Sequence, residues 1–245
     1  MRDGVLSARL TFVKTIAGTC RTVADIGTDH ALLPVSMVAE GLAEKAILTD
    51  VREGPLEAAV RGIKKYCPEK RGAFDLRHGN GLKVLKKGEA DVITICGMGG
   101  LLIAEILEAS PEVAKNCPKL VLQPNTCVGE LRRFLWDNGF TIAREQGLAE
   151  AGHPYAIIET RYTGEKKPRG TGPVKEAVRE YLGELMGIEP DRDDLKYFSL
   201  ISKKAARVVA AIRNAGTETS ERDAGRIEFY EAVLAETARI TGGTL

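Results

Sequence analysis

The chain of 245 residues exceeds the usual domain of about 100 to 200 residues but is too short for two full-sized ones, so one large domain with a smaller appendage is expected. Hydrophobic residues make up 44% and charged residues 28%, which excludes collagen-like and wholly disordered chains. With 35 Lys and Arg against 34 Asp and Glu the formal charge is +1, so a polyanionic partner would have to be met by a local basic patch.

Up to about residue 160, short β-branched runs ending in Gly, Asp or Asn alternate with helical patterns. The runs cover 22–26, 45–49, 74–77, 91–96, 119–122, 140–146 and 155–162. Such alternation predicts parallel strands with crossover helices, a doubly wound α/β sheet. The last two runs are separated only by 147–154, too short for a helix, and are expected to form an antiparallel hairpin at one sheet edge. Residues 163–173 (TGEKKPRGTGP) read as a linker between a first domain, 1–162, and a second, 174–245. The second has helical patterns over 174–186, 191–214 and 220–240 and no strand signal. In the middle segment Leu195, Phe198, Ser202, Ala205, Val209 and Ile212 form a heptad-like seam. In the last, Ser220 and Asp223 open a helix with Ile227, Tyr230, Leu234 and Ala238 on one face. The short connector predicts an antiparallel helical hairpin.

Cys20, Cys67, Cys96, Cys117 and Cys127 are odd in number, show no Cys-x-x-Cys spacing and follow no signal peptide, so reduced thiols and a cytoplasmic location are expected. The most apolar stretch, 92–107, is broken by Gly97, Gly99, Gly100 and Glu105 and falls short of the ~20 apolar residues of a membrane span. His30, His78 and His153 lie far apart, so no metal site is expected.

Ligands of doubly wound sheets bind at the carboxyl ends of the strands, where function is therefore sought. The first strand ends in Asp25-Ile-Gly27-Thr-Asp29-His30, with one glycine and two carboxylates where a dinucleotide enzyme carries three glycines. This turn would repel a pyrophosphate and suits a ligand with a positive group. Asp50, at the end of the second strand, lies at the spacing from which an acid meets ribose hydroxyls. In His78-Gly-Asn80-Gly81 a short amide between glycines can reach an adenine edge. A ribose, an adenine and a cationic end without phosphates describe S-adenosylmethionine. The fourth strand runs into Gly97-Met-Gly99-Gly100, which leaves room for a flat ring, and the fifth ends in Gln123-Pro-Asn125, which offers amide donors and acceptors.

Together with Leu6-Ser-x-Arg9-Leu10, Gly54-Pro55 and the 87–91 segment KGEAD, these motifs make nearly all of the first 160 residues resemble the bacterial tRNA (adenine-22-N1)-methyltransferases. The resemblance implies a Rossmann-like methyltransferase fold that uses S-adenosylmethionine to methylate N1 of an adenine in the D-loop region of tRNA. It also implies a helical C-terminal domain and favours a monomer. Asn80 is a departure, since the family carries Asp between the two glycines.

For that chemistry Asp29 and Asn125 are the candidate catalytic residues. Asp25, Gly27, Asp50, Asn80, Gly81 and Gly97 are candidates for the cofactor, and His30, Gly99 and Gln123 for the target base. Adenine N1 carries a free lone pair, so alignment supplies much of the rate, while Asp29 would stabilise the charged ring or accept a proton from the exocyclic amine. Asp29 can equally cap a helix starting near His30. The edge to be methylated pairs in a duplex, so the base must be unpaired or flipped, and Tyr155 is the one aromatic considered as a platform. On the helix around 195–217, Lys196, Lys203, Lys204, Arg207 and Arg213 occur without an acid and are read as RNA contacts, Lys203, Lys204 and Arg207 foremost. Arg61, Lys64, Lys65, Lys70 and Arg71 form a second basic cluster. Two other readings stay open: a methyltransferase acting on a small molecule or protein, and a noncatalytic adapter that binds the cofactor or RNA.

Overall fold

The computed structural model describes residues 6–28, 30–169, 172–215 and 220–243. Helix α1 (Ala8–Ala17), opened by the Ser7 side chain accepting from the Leu10 N–H, precedes β1 (Cys20–Ile26). There follow α2 (Leu32–Ala39), β2 (Ala43–Asp50), α3 (Glu53–Tyr66), β3 (Phe74–His78), β4 (Val92–Gly99), α4 (Gly100–Glu108), the one-turn α5 (Pro111–Ala114), β5 (Lys119–Thr126) and α6 (Val128–Asp137). The hairpin β6 (Phe140–Glu150) and β7 (His153–Tyr162) closes this part. Helices α7 (Pro173–Leu182), α8 (Arg192–Arg213) and α9 (Glu221–Ile240) complete the chain.

All seven runs read from the sequence are strands of one sheet, in the order β3-β2-β1-β4-β5-β7-β6. The first five are mutually parallel, and β7 pairs antiparallel with both β5 and β6. The hairpin lies at an edge as expected, but its second strand is the one inserted beside β5, which leaves β6 outermost. Alternation along the buried strands feeds two cores. Ile26, Ile47, Ile93, Ile95 and Leu122 face α4 and α6, while Val23, Leu48, Val92 and Val121 face α1, α2 and α3. The chain order reverses between β1 and β4, so the topological switch point opens between their carboxyl ends.

A third apolar cluster belongs to α7–α9, with Phe198, Ile201, Ala205 and Val233 at its centre. The seam of α8 is buried at the expected positions Phe198, Ala205 and Val209 and at Ile201, which the sequence places beside it, with Tyr197 added. On α9 the buried positions are Val233 and Thr237, whereas Ala238 is exposed, so the buried face is rotated from the one read in the sequence. Bonds from Ser202 to Thr237 and from Arg213 to Glu231 run in opposite senses along the two helices, which are therefore antiparallel.

The helices are seated on the α6 and β6 side of the sheet by buried polar contacts. Arg132 of α6 is fully buried and donates to Glu145 of β6 and to the Glu180 and Tyr181 carbonyls of α7. Burial opposes the charge on Arg132, but the Glu145 carboxylate outweighs it and holds the guanidinium protonated. At the start of α8, Asp194 accepts from the Gly147 N–H and the Gln146 amide of β6. No helix among the described residues is long and apolar enough to cross a membrane.

Candidate functional site

A cleft of about 720 Å³ opens at the switch point. Its floor is set by β1, β2 and β3, which end at neighbouring levels because their exit loops are tied together. The N–H groups of Gly27 and Thr28 donate to the Thr49 carbonyl at 2.8 and 2.9 Å, that of Gly79 donates to the Asp50 carbonyl at 2.9 Å, and His78 Nε2 lies 2.9 Å from the Val51 carbonyl. Gly27 has φ +72°, so the turn favours glycine, and a Cβ there would lie 2.0 Å from Met98 Cε and push that methyl aside.

Asp25 ends its strand almost fully buried and accepts from the Thr28 and Thr94 hydroxyls at 2.7 and 2.6 Å. Burial pushes its carboxyl up from the ordinary aspartate range, against the lowering effect of those two bonds. Asp50 is also buried, and its Oδ1 accepts from the Arg52 N–H at 2.8 Å, which leaves acceptor capacity on the group facing the cleft. Cys96 lines the cleft as well. Burial, with help from Asp25, pushes its thiol up from the ordinary cysteine range.

The opposite wall is made by the exits of β4 and β5. Gly100 opens α4 where a Cβ would lie 2.1 Å from the Cys127 carbonyl oxygen, so glycine brings these two exits into contact. Gln123, fully buried, accepts from the Gly97 N–H at 3.1 Å and donates to Asn125 Oδ1 at 3.1 Å, and Asn125 donates to the Gly97 carbonyl at 2.7 Å. The mouth of the cleft carries two exposed apolar side chains, Val51 and Leu102, with Ile106 behind.

The cleft brings together Asp25, Gly27, His30, Asp50, Asn80, Gly81, Gly97 and Asn125, eight of the residues read from the sequence. Gln123 stands behind the wall, bonded to Asn125, and Gly99 packs against Thr126 on β5 outside the lining. Lys203, Lys204 and Arg207 are exposed on α8, away from the cleft. Among the described residues they form no ion pair, whereas Lys196 and Arg213 of the same helix pair with Asp193 and Glu231. Asp29 lies outside the described residues. Helix α2 begins at Leu32 with Ala31 at its N-cap, close to the start expected near His30. Tyr155 packs under the Arg9 guanidinium, 5.1 Å from the ring centre, and is not part of the lining.

Sequence reasoning missed Arg9, Val51, Arg52 and Leu102 as lining residues. Arg9 was visible only as part of a motif without a role, and an exposed Val or Leu has no signature until the fold places it at a rim. Among the described residues no group of three or more His, Cys, Asp or Glu is arranged to hold a metal ion.

A model of the methyltransferase domain family matches residues 6–158. The chain belongs to this family. It is 39% identical over 158 residues to the tRNA (adenine(22)-N(1))-methyltransferase of Bacillus subtilis, an alignment spanning 64% of this chain and 66% of that protein. Among solved structures, Bacillus subtilis TrmK superposes on this methyltransferase with a TM-score of 0.76 at 28% identity, covering 97% of this chain and 99% of that one. Streptococcus pneumoniae Sp1610, solved in complex with S-adenosyl-L-methionine, gives 0.77 at 28% identity and covers 94% and 100%. These relatives bear out the resemblance to the bacterial tRNA (adenine-22-N1)-methyltransferases, and with it the Rossmann-like sheet.

Proposed function

We propose that this protein transfers a methyl group from S-adenosylmethionine to N1 of adenine 22 in tRNA. The observation that carries the reading is the composition of the cleft at the switch point: buried carboxylates on β1 and β2, and an amide after β3.

The residues present fit the cofactor. Asp50 takes the ribose hydroxyls, Asn80 meets the adenine edge, and Val51, Leu102 and Ile106 give the flat ring an apolar seat. The Thr49 hydroxyl is buried without a partner among the described residues, in the lining of the same cleft, and offers one more hydrogen bond. Asp25 and the turn from Gly27 receive the cationic end. When bound, S-adenosylmethionine supplies an electrophilic sulfonium methyl.

The target base enters between Asn125 and His30. Asn125 has a free acceptor lone pair on Oδ1 beside the Gln123 bond and a second N–H on Nδ2, enough to orient the exocyclic amine next to N1. The ring becomes cationic on alkylation. Asp29, four residues beyond Asp25 in the chain, is the carboxylate proposed to stabilise it and to accept a proton from the amine. The exposed Lys203, Lys204 and Arg207 of α8 serve as phosphate contacts for the tRNA. The enzyme works as a monomer in the cytoplasm, where the five free cysteines stay reduced.

The test supplies labelled S-adenosylmethionine with unmodified tRNA and with tRNA in which adenine 22 is replaced by guanine. Label should enter the first and not the second. Equal labelling of both, or of neither, would refute the assignment.

A further inference from the structure

The cleft wall at β4 and β5 depends on a residue from the far end of the first domain. Arg9, on α1, reaches across to Gln123, 114 positions later, and its Nη1 donates to the Gln123 side-chain oxygen. On the other side Arg9 is held by the hairpin. Its backbone N–H donates to Glu150 Oε1 at 3.1 Å, its Nε lies 3.5 Å from Glu150 Oε2, and its guanidinium stacks over Tyr155.

An amide side chain has two nearly isosteric orientations, and only its hydrogen bonds choose between them. Arg9 and the Gly97 N–H both donate to Gln123 Oε1, so that atom must be the oxygen. The other end of Gln123 is then the donor, to the Pro124 carbonyl at 3.0 Å and to Asn125 Oδ1 at 3.1 Å. Asn125 in turn must present Nδ2 to the Gly97 carbonyl. Arg9 thus acts beside the Gly97 and Pro124 backbone groups, as the one side-chain donor among the described contacts of Gln123, in holding the order of donors and acceptors that faces the incoming base. A guanidinium has no acceptor atom, so it cannot satisfy the reversed orientation, and its bond to an amide oxygen is charge-assisted. Glu150 neutralises Arg9 locally, so this orientation is obtained without a net positive charge beside a ring that becomes cationic.

We propose that Arg9 is a positioning residue for methyl transfer, which together with the Gly97 backbone holds Gln123, and through it the Asn125 amide, in the orientation that receives the target adenine. The inference rests on the reading of Asn125 as a group that touches the base.

The test is a cycle on kcat with tRNA at saturation, comparing wild type, Arg9→Ala, Asn125→Ala and the double variant. Cofactor affinity and thermal midpoint are measured alongside. Arg9→Ala should lower kcat on the order of 10- to 10²-fold, the range a misplaced reacting group costs, with cofactor affinity and KM for tRNA little changed. In the Asn125→Ala background the same substitution should have no further effect. Arg9→Lys, which keeps one donor to Gln123, should restore part of kcat. Gln123→Glu, which keeps the acceptor but loses the donor to Asn125, should mimic Arg9→Ala.

Equal losses from Arg9→Ala in both backgrounds would overturn the relay and assign Arg9 an independent role, while leaving Asn125 in place. Loss of tRNA affinity with unchanged kcat would overturn it in favour of a phosphate contact. An unchanged kcat in Asn125→Ala would remove Asn125 from the site and the relay with it. Should Arg9→Ala not fold, Arg9→Lys and Gln123→Glu decide the matter alone, and wild-type kcat in Gln123→Glu would overturn the proposal.

Discussion

Replacing Arg132 by Met tests how the helical segment is held. The substitution keeps an unbranched apolar stem but removes both donors to Glu145, at 2.8 and 2.6 Å, and those to the Glu180 and Tyr181 carbonyls, at 2.7 and 2.6 Å. Both charged side chains have zero exposure, so Glu145 would be left a buried carboxylate with the Glu184 N–H as the one remaining partner of its side chain among the described residues. Removing one partner of a buried pair costs roughly 3–5 kcal/mol. At about 2–4 °C per kcal/mol for a chain of this size, the thermal midpoint should fall by roughly 6–20 °C. Arg132→Met/Glu145→Met should recover part of that loss, because no charge remains, but not all, because the α7 carbonyls stay unpaired. Scanning calorimetry of the wild type, both single variants and the double variant gives the coupling directly. Additive losses would refute the pairing. A midpoint within about 2 °C of wild type for Arg132→Met would show that the junction carries little stability.

Three further outcomes follow from the same geometry. Gly27→Ala forces a side chain into left-handed backbone, at about 1–2 kcal/mol, and drives Met98 from its place in the cleft lining. Calorimetric titration should show S-adenosylmethionine binding weakened about tenfold or more. Asp25 has a folded-state pKa raised by burial, so its contribution to stability is present below the unfolded-state value and is lost as pH rises through the folded one. Asp25→Asn should therefore abolish cofactor binding yet flatten the decline in stability as pH rises out of the ordinary carboxylate range; a steeper decline in urea titrations would contradict the burial argument. Lys203→Glu/Lys204→Glu/Arg207→Glu should weaken tRNA binding and reduce its salt slope by about one for each phosphate no longer neutralised, with cofactor affinity intact. An unaltered slope would remove α8 from the RNA interface.

The strands could be read from the sequence because parallel strands buried on both faces are continuous β-branched runs, such as 91–96, and because each ends in a residue that must turn. That Asp25, Asp50 and Asn80 line one cleft could be read for a related reason, since a doubly wound sheet gathers its strand exits beside the switch point. The sequence does not show contacts between distant segments. Nothing near Arg9 indicates that its partners are Gln123 and Glu150, and nothing near Arg132 indicates that it is buried against α7. The linker motif says nothing of how the C-terminal helices dock on α6 and β6, which depends on small residues. Gly147, for instance, lets the Tyr197 ring lie where a Cβ would come within 2.9 Å of it. The insertion of β7 between β5 and β6 was likewise hidden, because a hairpin reads the same whichever strand is outermost.

Methyl transfer to N1 of a single adenine is decided by mass spectrometry of nucleosides and nuclease fragments from unmodified tRNA incubated with the protein and S-adenosylmethionine. The expected product is 1-methyladenosine at position 22 and nowhere else, with none formed when Asp50→Ala replaces the wild type. Methylation at another nucleoside or another position, or 1-methyladenosine formed as readily by Asp50→Ala, would contradict the assignment.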